Sequence, residues 1–132
     1  MNAYRWLAPL LFIGTTLAGC ASGPFKNMSG IFQGQTKSER RLIAGIDFYE
    51  DGDYATAIQL LQSSLDEGLR KTSDQTKAHK YLAFIHCASG RERQCRDEFS
   101  KALDIDSAFE LDPAEAGHPI WGLAFRSVKT RK

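Results

Sequence analysis

Asp51-Gly52-Asp53-Tyr54-x-x-Ala57-x-x-x-Leu61-x-x-Ser64-Leu65 recurs 38 residues later as Ser89-Gly90-Arg91-Glu92-x-x-Cys95-x-x-x-Phe99-x-x-Ala102-Leu103. Each copy opens on a helix breaker and continues with small and apolar residues at helical spacing. In the first, Tyr54, Ala57, Ile58, Leu61 and Leu65 fall on one face of a 3.6-residue helix that ends near Gly68. Gly52 supports a left-handed turn residue and Asp53 caps the helix that begins after it. In the second, Cys95, Phe99, Ala102 and Leu103 face inward on a helix from about Glu92 to Ile105. A further amphipathic stretch precedes each breaker. Ser38 is read as the cap of a helix reaching Glu50, with Leu42, Ile46 and Tyr49 on one face. Ser73 or Asp74 starts another, with Ala78, Leu82 and Ile85 inside, ended by Ser89-Gly90. No segment alternates with period two long enough to argue a strand. The spacing predicts an all-α domain of two short antiparallel hairpins.

Aligned by their turns, the hairpins resemble the tetratricopeptide repeat, a helix–turn–helix unit of about 34 residues. Gly45, Phe48, Ala57, Leu61 and Ser64 occupy the family's small and large positions in the first unit, and Ala83, His86, Cys95, Phe99 and Ala102 in the second. The small residues are expected to let the helices approach and the large ones to fill the groove between them. The match spans about Ser38 to Ser107. It departs from the family at Arg41 and His79, where Trp is common, and at Ser107, where a proline usually closes the unit. A generic pair of helical hairpins is the alternative. Two units leave end faces uncovered, and an array usually needs a cap. Asp112, Pro113 and Glu115 look like a helix start, His118-Pro119 a turn, and Pro119 to Lys129 a capping helix carrying Ile120, Trp121, Leu123 and Phe125. The resemblance further implies a concave partner-binding face, here Leu42, Ile46, Tyr49, Lys77, Lys80 and Phe84.

The first 19 residues read differently. Arg5 is followed by the apolar run Trp6 to Leu17, too short to span a bilayer and suited to the core of an export signal. Leu17-Ala18-Gly19-Cys20 resembles the bacterial lipobox. That family's chemistry implies diacylglyceryl transfer to the Cys20 sulfur and cleavage between Gly19 and Cys20. Two or more acyl chains anchor stably where one does not. Ala21, in place of an acid, implies sorting to the outer membrane under the family's rule, with the protein facing the periplasm. An uncleaved anchor or a buried strand is the alternative. Residues 20–37 then form the lipidated end and a tether rich in Gly, Ser, Asn, Gln and Thr, and residues 38–132 the helical domain.

Removing Arg5 with the signal leaves 16 Lys and Arg against 16 Asp and Glu, so the mature chain is neutral and carries no charge argument for nucleic acid. Cys87 and Cys95 form an even pair flanking the second turn, and an oxidising compartment favours their disulfide. A redox or metal site shared with His86 is the alternative. His79 and His86 are read as packing or surface residues and His118 as orienting its turn. No G-x-S-x-G, P-loop or G-x-G-x-x-G is present. Turn acids such as Asp51 and Asp53 are explained by capping. No enzyme and no cofactor beyond covalent lipid are therefore expected. The reading is an envelope scaffold that docks a protein partner, such as an accessory or assembly factor of a secretion system or pilus. The alternatives are a lipoprotein that binds a small molecule or peptidoglycan fragment, and a self-associating structural subunit.

Overall fold

The structure is a computed structural model that describes residues 34–132. The export segment, Gly19, Cys20 and the tether up to Gln33 lie outside the described residues. Among the described residues the helices are, in order, α1 Lys37–Glu50, α2 Tyr54–Asp66, α3 Thr72–Ala88, α4 Glu92–Ile105, α5 Pro113–Ala116 and α6 Trp121–Lys129. Among these residues there is no strand, and no helix is long and apolar enough to cross a membrane.

The caps show why the helices begin where they do. Thr36, not Ser38, caps α1, because Glu39 stands three residues on and returns the bond: Glu39 N donates to Thr36 Oγ1 at 3.2 Å and Thr36 N to Glu39 Oε2 at 2.8 Å. Ser38 is instead buried inside α1, its hydroxyl donating to the Gly68 carbonyl at 3.3 Å. Thr36 and Lys37 thus belong structurally with the helical domain. Asp53 caps α2 by accepting from Thr56 N at 3.1 Å. Gly52 and Gly90 take φ of 81° and 72°, the left-handed conformation that both turns require. The Asp112–Glu115 capping box starts α5 as the residues imply. The last helix begins at Trp121, leaving Pro119 and Ile120 in the turn before it.

Helices α1 and α2 form one antiparallel hairpin. Lys37 and Arg41 pair with Glu67 at its open end, and Tyr49 stacks on Tyr54 at the turn. Helices α3 and α4 form the second, tied by His79 to Glu98 at 2.6 Å and by Cys87 to Cys95. Between α1 and α2 the approach is close: a Cβ on Gly45 would stand 2.9 Å from Leu61 Cγ. Helix α3 packs on α1, α2, α4 and α6 and is the central element.

The core has two lobes. One gathers Leu42, Ala57, Leu61, Leu69, Ala78, Leu82 and Ile85 between the hairpins. The other joins Phe84, Phe99, Leu103 and the disulfide to Leu111, Phe125 and Val128 from the C-terminal segment. Tyr49 and Tyr81 pack against both. Phe48 departs from its expected place in an interhelical groove. It is 38% exposed and belongs to neither lobe, because it lies about 200° round α1 from Ile46 and so faces away from α3.

Candidate functional site

Helices α1 and α3 run side by side and leave an open groove of about 300 Å³ at their N-terminal ends. Leu42, Ile43 and Ile46 of α1 line it opposite Asp74 and Lys77 of α3, with Gln35, Glu39 and Lys71 at its mouth. Ile43 is 38% exposed, and Lys77 is exposed with no ion pair among the described residues. Gln35 Oε1 is shielded from solvent with no hydrogen-bond partner among the described residues. Lys71 Nζ stands 3.9 Å from Glu39 Oε1. The backbone hydrogen bond from Thr36 and the nearby Lys71 hold the Glu39 carboxyl below its ordinary range. The groove therefore combines an apolar floor with charges of both signs, a lining suited to an amphipathic segment more than to a compact anion.

The six residues expected to form a partner face divide into two groups. Leu42, Ile46 and Lys77 line this groove. Leu42 is only 4% exposed and supplies floor, not a free contact. Tyr49, Lys80 and Phe84 are covered. Tyr49 sits 5.1 Å from Tyr81 and 5.8 Å from Tyr54, ring centre to ring centre, and burial lifts the Tyr49 and Tyr81 hydroxyls above their ordinary range. Lys80 donates to Glu115 Oε1 at 2.7 Å while lying over the Tyr81 and Phe84 rings. Phe84 is 2% exposed, beneath the stacked ring of Trp121 at 4.7 Å. This corrects the expectation of six open side chains: the returning C-terminal segment covers Lys80 and Phe84, and Tyr54 and Tyr81 cover Tyr49. Sequence reasoning misses Glu115 and Trp121 as site residues, since that contact depends on a chain reversal some 30 residues beyond α3. It misses Ile43 because that residue falls just outside the apolar stripe of α1.

Cys87 and Cys95 stand at disulfide-bonding distance, with Cα atoms 5.1 Å apart, and both are buried. His79 Nδ1 donates to Glu98 Oε2 at 2.6 Å, and the other carboxylate oxygen accepts from Lys101 at 2.6 Å. Burial pushes the Glu98 carboxyl up, but the bonds from His79 and Lys101 outweigh it and hold the group below its ordinary range. Burial, aided by Arg91, lowers His86. His118 does orient its turn: its Nδ1 accepts from Ile120 N at 3.2 Å and its ring stacks on Trp121. Among the described residues no group of three or more His, Cys, Asp or Glu is arranged to hold a metal ion. Comparison with models of protein families, with curated proteins and with solved structures finds no match to this chain.

Proposed function

We propose that this protein is a lipid-anchored adaptor of the bacterial cell envelope, held at the outer membrane through Cys20 and docking a protein partner in the α1–α3 groove. The observation that carries the docking reading is the groove itself: Ile43, Ile46 and Lys77 line a channel that the described residues leave open between two helices of a disulfide-linked domain. An amphipathic helix or extended segment fits such a groove, its apolar side chains on Ile43 and Ile46 and its acids toward Lys77 and Lys71. The tetratricopeptide-like reading is supported by the contact of Gly45 with Leu61 and by the burial of Ala57, Ala83, Cys95, Phe99 and Ala102. On that reading α5 and α6 serve as the cap that ends the stack. The lipobox Leu17-Ala18-Gly19-Cys20 supports the anchor and export across the inner membrane. A role as accessory or assembly factor of a secretion system or pilus follows from this combination.

The test compares the native, lipidated protein with Ile43→Asp/Lys77→Glu after mild crosslinking in the envelope, with Cys20→Ala as the control for anchoring. Enrichment of components of one envelope machine, lost in the groove variant, supports the proposal. An unchanged set of partners in the groove variant overturns the docking site, and unchanged membrane retention of Cys20→Ala overturns the anchor.

A further inference from the structure

We propose that copies of this chain associate head to tail, the acidic tip of the first hairpin of one copy seating in the cleft between α4 and α6 of the next. The cleft holds about 460 Å³, and among its lining residues are Pro119, Ile120, Leu123 and Ala124 with the Glu92–Arg96 ion pair at 3.3 Å. Ile120 and Leu123 are 50% and 60% exposed, the two most exposed large apolar side chains among the described residues. Cations without an ion pair among the described residues stand on both elements: Arg91 and Arg93 are exposed on the turn before α4 and on α4 itself, and residues 116–132 carry Arg126 and Arg131 besides Lys129 and Lys132, which pair with Glu110 and Asp104.

The tip of the first hairpin is the complement. Residues 42–69 contain Asp47, Glu50, Asp51, Asp53, Asp66 and Glu67 and no Lys or Arg. The first four of these are exposed around Phe48 and Tyr54, themselves 38% and 37% exposed. A chain with a formal net charge of only +1 is thus polarised, with an aromatic surface in the acidic part and an aliphatic one in the basic part. Within one molecule the two do not meet, because α1 and α2 pack on α3 but not on α4 or α6. A second copy brings them together. Burying Phe48 and Tyr54 against Ile120 and Leu123 removes apolar surface from water, while Asp47 and Asp51 face Arg91 and Arg93 across the rim. The two surfaces differ, so the contact is heterologous and leaves a free tip and a free cleft at the ends of each pair. It does not involve the α1–α3 groove and stands or falls apart from the docking proposal.

The test uses two differently tagged copies of the whole chain expressed together, with capture of one by the other as the readout. Wild-type copies are expected to capture each other, less so at high salt. Asp47→Lys/Asp51→Lys and Arg91→Glu/Arg93→Glu are each expected to lose self-capture by at least about tenfold, since like charges then face each other. Mixing the two variants restores capture, because the basic tip of one meets the acidic cleft of the other. Leu123→Asp is expected to lose capture of its own kind but still to capture wild-type copies, whose clefts accept its unaltered tip. Absence of wild-type self-capture, or variants that lose it without mutual rescue, overturns the proposal.

Discussion

At Gly45 a single hydrogen side chain sets the spacing of α1 and α2. An added Cβ would meet not only Leu61 Cγ but also the Leu61 backbone nitrogen at 3.2 Å, so a side-chain rotation alone does not relieve it. Gly45→Ala is therefore expected to destabilise the domain by about 1–3 kcal/mol despite its better helix propensity. Gly34→Ala, with nothing within 4 Å among the described residues, is the control; thermal unfolding of the two variants checks this. His86 and Glu98 set the response to acid. Burial places the folded His86 below its ordinary 6.5, so the unfolded chain takes the proton first. Its contribution is present above 6.5 and lost as pH falls through that value. Glu98, held below its ordinary 4.5, adds a second loss at lower pH by the same sign. Urea midpoints are expected to fall between about pH 7.5 and about pH 5.5, and His86→Gln to flatten that part of the curve. Gly45 is legible in the sequence as a small residue opposite Leu61. The burial of His86 and its neighbours Arg91, Glu98 and Lys101 is not, because it depends on how α4 lies along α3.

Among the helices, the second hairpin relies on two ties that act differently. The Cys87–Cys95 link closes a loop with a sequence separation of 8. It restricts the unfolded chain, and Cys87→Ala/Cys95→Ala is expected to lose about 2–3 kcal/mol, read as a lower denaturant midpoint without reductant. Helix α6 acts through packing: Phe125 is 3% exposed, edge-on to Phe99 at 5.2 Å and to Phe109 at 5.4 Å. Phe125→Ala is expected to cost about 3–5 kcal/mol. The four long helices and both turns are legible from the 3.6-residue stripes and from Gly52 and Gly90. The first cap lies two residues before its expected place because Thr36 and Ser38 both suit the role, and only the position of Glu39 decides between them. Phe48 is expected inside because the repeat pattern assumes a neighbour on each side of a hairpin, whereas α1 presents that side to solvent.

At the scale of the molecule, the surfaces that matter to both proposals are separate, a groove between α1 and α3 and a cleft between α4 and α6. Periodicity puts Leu42 and Ile46 on one face of α1, and the repeat resemblance adds Lys77; all three line the first. It does not foresee that Glu115 and Trp121 return over Lys80 and Phe84, because a contact made by a distant segment leaves no trace in the local pattern. The polarity of charge along the chain is legible residue by residue, but it becomes a surface property only once α3 is seen to keep the first hairpin away from α6. The central claim, that the α1–α3 groove docks a partner, is tested most directly by placing a photo-crosslinking side chain at Ile43 in the lipidated protein in intact cells. Gln62, exposed on α2, provides the comparison. A crosslink to one discrete envelope protein from position 43 and not from position 62 is the expected result. The same adducts from both positions, or none from position 43, would contradict the account.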